Sequence, residues 1–337
     1  MKEKEQTFFS KLFTKIKWAM YDLSVKLFGN KKTKIELDAN KSRRFKKNLF
    51  LFLFLLFPIV QFIIFYIGVN INSILLAFKS FEGGKWVFCG FDNFKEVWDD
   101  LFVNGRLNVA VKNSTIQFAL SFLVGIPLHV IVAFVMFRGV PGSKFLRFVL
   151  FMPNMISSLV FVICFRYLAS DALPLITGIE NLNILKSSQP SSFYTVLLFG
   201  FWLGFAGGLI IYLGAMSSIS TDVLEYCELE NMSSLRLLWS IIVPLIFPTI
   251  ITYIVVGMAG FFTSYGQFHS FFGAAGKNSA PPYETLGYVF FVTIARDSAT
   301  VADYPYAAAG GLMFTMVIAP LTVGIKSLLE KYGPGVD

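Results

Sequence analysis

Residues 225–248 read EYCELENMSSLRLLWSIIVPLIFP. A polar stretch carrying Glu225, Glu228, Glu230 and Arg236 gives way to an apolar run interrupted by Pro244 and Pro248. Asn231 follows the Glu-rich segment, and Asn is second only to Gly as the left-handed residue that ends a helix. Ser233 or Ser234 then offers a side-chain oxygen to cap the next helix. The expected local structure is helix, tight turn, helix, and then a long apolar span.

Such apolar spans recur along the chain. Of 337 residues, 55% are hydrophobic, 15% are charged and 39 are Phe, with a mean hydropathy of +0.64. Soluble domains carry about 25% charged residues. Runs near the roughly 20 residues that cross a bilayer occupy about 49–69, 114–137, 148–169, 193–218, 238–262 and 307–325. The sequence therefore predicts an all-α, polytopic membrane protein with six transmembrane helices. Nearly fifty residues precede the first run and no small-residue cleavage site follows it, so it reads as a span and not as a signal peptide.

Fourteen of the 29 Lys and Arg lie in residues 1–47. Lys and Arg concentrate on the cytoplasmic side of membrane proteins. Six spans then bring both termini to the cytoplasm of a multi-pass plasma-membrane protein, and segment 221–238 faces inward. The net charge of +8 needs no nucleic acid, because anionic lipid attracts juxtamembrane cations by about 1 kcal/mol each. Within the arm, Phe9, Phe13, Ile16, Met20, Leu23 and Leu27 share one helical face, interleaved with Lys11, Lys15, Lys17 and Lys26. A basic amphipathic helix of this kind lies in the headgroup layer. Two domains follow: a cytoplasmic amphipathic basic arm over 1–47 and a six-span domain over 48–332. Segment 80–113, rich in aromatics and in both signs of charge, predicts a small ordered cap on the outer side.

The sequence offers no catalytic constellation. Gly273–Ser279 falls short of a phosphate loop, which needs Gly five residues before the second Gly and Ser or Thr directly after Lys; those places hold Phe271 and Asn278. His129 and His269 have no acidic or Cys neighbours at ligand spacing, and Cys89, Cys164 and Cys227 show no metal or disulfide framework. Neither GxSxG, HExxH nor paired carboxylates on one helical face occur. A non-enzymatic chain without cofactor or metal is expected. Spans one, four, five and six hold no Asp, Glu, Lys or Arg, whereas proton relays are built from such residues. Energy then enters through a partner, and an uncharged route suits a neutral, hydroxyl-rich solute. A receptor, channel or assembly factor with six spans is the reading from a different class.

The opening stretch resembles the cytoplasmic coupling loop of binding-protein-dependent ABC importer permeases. That pattern runs Glu-Ala-Ala, three residues, Gly, nine residues, then Ile-x-Leu-Pro. Glu225, Asn231, Ile241 and Pro244 hold the Glu, Gly, Ile and Pro places, while Tyr226 and Cys227 replace the alanines and Val243 replaces the Leu. Gly90, Asn93 and Phe94 resemble a Gly-hydrophobic-x-Asn-Tyr/Phe element between the first two spans of sugar-importer permeases. Phe148–Pro153 and Tyr304–Leu312 are further echoes, so the resemblance covers about residues 49–332 and is strongest with MalF-type carbohydrate permeases. It implies a MetI-like permease core in an ATP-driven importer of carbohydrate, coupled to a separate ATPase through Glu225, Glu228, Glu230, Asn231, Ser233 and Pro244. The partners implied are ATPase subunits that bind the ATP, a second permease subunit and an extracytoplasmic solute-binding protein. The solute pathway implied includes Asn154, Phe201, Trp202, Gly204, Tyr253, Phe261 and Thr263. A permease for a peptide or a polyol phosphate remains the alternative within transport.

Overall fold

The computed structural model describes residues 47–105, 107–178, 184–275 and 281–334. The amphipathic arm expected over 1–47, save Lys47 itself, and the Lys277 segment lie outside the described residues. Among the described residues, six helices are long and apolar enough to cross a membrane. The chain divides into two compact units between Asn72 and Ser73, and helix α1 (Lys47–Leu76) runs through that division. In the first unit every described residue is exposed, Phe57 to 76%. Its helical ladder widens to a π-type turn over Phe62–Gly68.

The second unit opens with an antiparallel hairpin, β1 (Lys79–Glu82) and β2 (Lys85–Phe88), in which Glu82 pairs with Lys85. Helix α2 (Asp92–Phe102) follows, so the expected cap is present. The Gly-x-x-Asn-Phe element holds it together. Gly90 adopts φ +64°, a conformation open to a residue without Cβ, and so turns the chain into α2. Asn93 Nδ2 donates to the carbonyls of Ala77 (2.8 Å) and Lys79 (2.9 Å), while Phe94 packs on Phe78 at 5.1 Å.

Helix α3 (Asn108–Phe137) is the second span and α4 (Ser143–Met155) is a separate shorter helix. The expectation of one span over 148–169 is corrected here. Pro153 has no N–H to donate back along its helix, and α4 stops two residues later. Ile156 is extended, and Ser157 starts α5 (Ser158–Thr177), the actual third span. Helix α6 (Ser191–Ser217) is the fourth. Helix α7 (Thr221–Leu229) and the short α8 (Ser234–Leu237) lead through a π-type turn, Leu238–Ile242, into α9 (Val243–Thr263). Then come α10 (Gly266–Phe272), α11 (Leu286–Ala295) and the last span, α12 (Tyr304–Tyr332). Helix α11 is apolar but far short of the roughly 20 residues a span requires.

Three cores form. The largest joins α3, α6 and α9 through Ile126, Val130, Phe134, Leu209, Ile246 and Ile254, and it takes in Cys227 and Leu237 beside the polar turn. A second joins α5, the start of α6, α10 and α11; a third binds the cap to α11 and α12. Helices α3 and α6 meet closely because Gly208 has no side chain: a Cβ there would stand 2.6 Å from His129 Nε2. Small residues permit such approach between spans. The buried His129 ring stacks on Phe205 at 4.4 Å, and its Nε2 donates to the Phe205 carbonyl at 3.0 Å.

Candidate functional site

Two places stand out, a turn at one end of the second unit and a cavity within it. At the turn, Ser220 opens α7 by accepting the Asp222 N–H at 3.3 Å. Its far end is closed by Asn231, the one non-glycine residue with positive φ (51°) among the described residues. The Met232 N–H donates to the Cys227 carbonyl (3.1 Å) and the Asn231 N–H to the Glu228 carbonyl (3.0 Å). This six-to-one, five-to-two pair is the Schellman closure, which satisfies carbonyls otherwise orphaned at a helix end. Ser233 takes the extended backbone of a helix cap, yet its side chain makes no capping hydrogen bond; the expected hydroxyl cap is absent there.

The turn has a buried root and an exposed crown. Cys227 and Leu237 sit in the core at 3% exposure, whereas Leu229 is 86%, Leu235 71% and Tyr226 63% exposed. Glu225, Glu228 and Glu230 are exposed among them. Arg138, just beyond α3, reaches Glu228 at 3.3 Å, a solvent-screened pair worth about 0–1 kcal/mol. Pro244 is half-buried at the start of α9.

The cavity, of about 380 Å³, lies between α3 and α9. Its α3 wall runs from Ser114 to Ile126 and its α9 wall from Tyr253 to Thr263, with Ser264 beyond it. At 1.5 Å per residue, the walls are about 15–18 Å long. Ser114, Gln117 and Ser121 follow one another at spacings of three and four, forming a polar ridge on one helical face. Beside it, Phe118 and Phe122 stack at 5.9 Å. A π-type turn, Leu120–Gly125, falls within this wall; such turns are frequent at functional positions. Gln117 Nε2 donates to Ser264 Oγ. The end of the cavity is tied down by the start of α11 and the residue before it: the Leu286 N–H donates to Ser114 Oγ (2.9 Å) and Thr285 Oγ1 to the Ser264 carbonyl (2.6 Å). No charged side chain lines the cavity among the described residues.

Of the pathway residues read from the sequence, Tyr253, Phe261 and Thr263 line this cavity. Phe201 packs into the core against Phe205 (5.8 Å), behind the α3 wall. Trp202 is 45% exposed and meets Phe161 edge-on at 5.5 Å. Asn154 is exposed at the end of α4, and Gly204 faces open space. Sequence reasoning passed over Ser114, Gln117 and Ser121. The signal that finds them is the polar periodicity of SxxQxxxS inside an otherwise apolar span, where each polar group costs free energy unless it is bonded or wetted.

The sequence pattern of the binding-protein-dependent transport system inner membrane components matches residues 125–336. The multiple sugar-binding transport system permease protein MsmF of Streptococcus mutans is 22% identical over 83% of this chain and 94% of its own length. The probable starch degradation products transport system permease protein AmyD of Thermoanaerobacterium thermosulfurigenes is 22% identical over 87% of this chain and 98% of its own. A crystal structure of a bacterial ABC transporter involved in the import of the acidic polysaccharide alginate contains a chain of like fold. The TM-score is 0.69 at 20% identity, covering 87% of this chain and 99% of that one.

Proposed function

The chain belongs to the family of binding-protein-dependent transport system inner membrane components, and from that membership we propose that it is a permease subunit of an ATP-driven carbohydrate importer. Support for carbohydrate comes from relatives named for sugars and starch products and from a cavity walled by hydroxyl, amide and aromatic groups. Support for import through a partner ATPase comes from the family together with a chain that has no nucleotide-binding loop of its own. Both termini lie in the cytoplasm, as the Lys and Arg distribution favours, which turns the Asn231 crown toward the ATPase. The complete machine holds this chain, a second permease subunit, ATPase subunits and an extracytoplasmic solute-binding protein.

One observation carries the coupling role: a stiff left-handed turn lifts Glu225, Tyr226, Leu229 and Leu235 into solvent while Cys227 and Leu237 anchor it in the core. Exposed apolar side chains ringed by carboxylates make a docking knob, since they remain unsatisfied until covered. Reversing the charge at Glu225 sets a like charge against whatever the carboxylate faces in the partner. Glu225→Lys is expected to abolish solute uptake by membrane vesicles while the chain still inserts at wild-type abundance. Uptake at the wild-type rate removes the assignment of this turn as the coupling element.

A further inference from the structure

Helix α2 presents three faces. At about 100° per residue, Phe94, Val97 and Leu101 fall on one side and pack into the core shared with α11 and α12, with Asp100 buried beside them. Asp92, Glu96 and Asp99 fall on a second, acidic side. The third side carries Phe91, Lys95, Trp98 and Phe102, at spacings of 4, 3 and 4. All of these are exposed, Phe91 to 72%, Trp98 to 54% and Phe102 to 63%. The Trp98 and Phe102 rings stand 4.4 Å apart, a continuous aromatic stripe with one ammonium in it. A roll of the helix that hid this stripe would break two ties. The Tyr306 hydroxyl donates to Asp100 Oδ2 at 2.8 Å, both side chains being buried, and Asn93 holds the Ala77 and Lys79 carbonyls.

We propose that this third face of α2 is a phospholipid contact on the cap's own side of the bilayer: Phe91, Trp98 and Phe102 lie at the boundary of headgroups and acyl chains, and Lys95 meets lipid phosphate. The assignment does not depend on which solute the importer carries. Position is the first argument. The Leu107 N–H donates to the Asp100 carbonyl at 3.1 Å, which fastens the last turn of α2 to the residue before α3. The apolar run of that span begins near 114, so about 10 Å of helix separates the tie from the hydrocarbon. Headgroups fill about 5–8 Å of that height, and tilt of the span lowers it further. Long side chains close the remaining gap. Composition is the second argument. Trp gathers at membrane–water interfaces because its ring is apolar at one end and polar at the other, and helices lying in the interface put Trp and Phe on their apolar face. Charge is the third. A protein cover would seal Lys95 among three aromatic rings, and it has no ion pair among the described residues to offset that cost. Lipid phosphate supplies the counter-charge. The carboxylates that phosphate would repel all stand on the acidic side, turned away from the stripe.

The test uses the full-length chain in nanodiscs of phosphatidylcholine and phosphatidylglycerol. Trp18→Phe, Trp86→Phe, Trp202→Phe and Trp239→Phe together leave Trp98 as the single tryptophan emitter. The lipids carry bromine on the acyl chain near either its carbonyl end or its methyl end. For a ring about 5–10 Å into the interface, the shallow bromines should quench Trp98 about twofold or more beyond the deep ones. Aqueous acrylamide should quench it several-fold less than free tryptophan, and Lys95→Glu, which sets a carboxylate against phosphate, should raise that acrylamide quenching. If the fourfold substitution lowers the amount of inserted chain, the difference in bromine quenching between the native sequence and Trp98→Phe reads the same contact. A Trp98 open to acrylamide and indifferent to bromine overturns the lipid contact and leaves the face to a protein partner. Shielding from both quenchers overturns it too, because protein then already covers the ring. Stronger quenching by the deep bromines places the ring in the hydrocarbon and equally refutes a headgroup-layer contact.

Discussion

Asn231 holds a backbone angle that most residues avoid, and the Schellman closure fixes it from both sides. Gly at this place has no Cβ to clash and adopts the same angle freely. A β-branched residue strongly disfavours it, at a cost of about 1–2 kcal/mol. Uptake by Asn231→Gly should therefore match wild type within about twofold, while Asn231→Val should fall by roughly tenfold or more, since 1.4 kcal/mol is a factor of ten. Initial uptake rates, normalised to inserted protein, decide it; equal rates for the two variants refute the left-handed turn. This residue was legible because a polar residue tolerant of positive φ stands just where a Glu-rich helix must stop before a serine pair. Gln117 and Ser121 were not legible in the same way. Their significance depends on α9 lying opposite with Tyr253 and Thr263, and a pairing of helices more than a hundred residues apart leaves no local trace. Phe201 and Trp202, read as pathway residues from the resemblance, lie outside this cavity, one packed on Phe205 and the other meeting Phe161.

Elements divide along the same line. Five of the six spans announce themselves by length and hydropathy, and the cap by its aromatics and mixed charge. The third span was misplaced because hydropathy reads through Pro153, whereas the backbone does not. Helix α11 escaped notice since ten apolar residues are too few to cross a membrane yet are fully accommodated by burial against α9 and α12. In the cap, a single side chain does most of the joining: Asn93 Nδ2 serves the carbonyls of Ala77 and Lys79. Asn93→Ala strips the donor from both carbonyls, a loss of about 1–3 kcal/mol. The hairpin amides, including the Cys89 N–H bonded to Phe78 at 3.0 Å, should exchange with solvent deuterium about tenfold faster or more. Protection unchanged from wild type means the hairpin is held by Phe78, Phe91 and Phe94 alone.

At the scale of the whole molecule, the proposed importer divides the work: this chain gives a route and a docking knob, and a partner ATPase gives the energy. Its sequence has no nucleotide-binding loop, and its apolar runs 49–69, 193–218, 238–262 and 307–325 hold no Asp, Glu, Lys or Arg of the kind that builds a proton relay. Reconstituted alone, it should neither hydrolyse ATP nor accumulate sugar against a gradient. Addition of the ATPase, the second permease and liganded binding protein should confer both. Gradient-driven accumulation by the isolated chain, abolished by a protonophore, would replace the proposed machine with a symporter. The closure at Asn231 also bears on how such a machine moves. Cys227 at its root is packed with Tyr212 and Met216 of α6 and with Ile242 and Ile246 of the fifth span. In the proposed importer, with the Cys227 and Glu228 carbonyls tied, a thrust on Leu229 would be passed on as displacement and not dissipated as bending. Give in the linkage is then found one step further along, in the loosely wound Leu238–Ile242 segment. There a stiff tappet meets a long rod, and the stroke of that importer would be shared between tilt of α9 and winding of the turn before it.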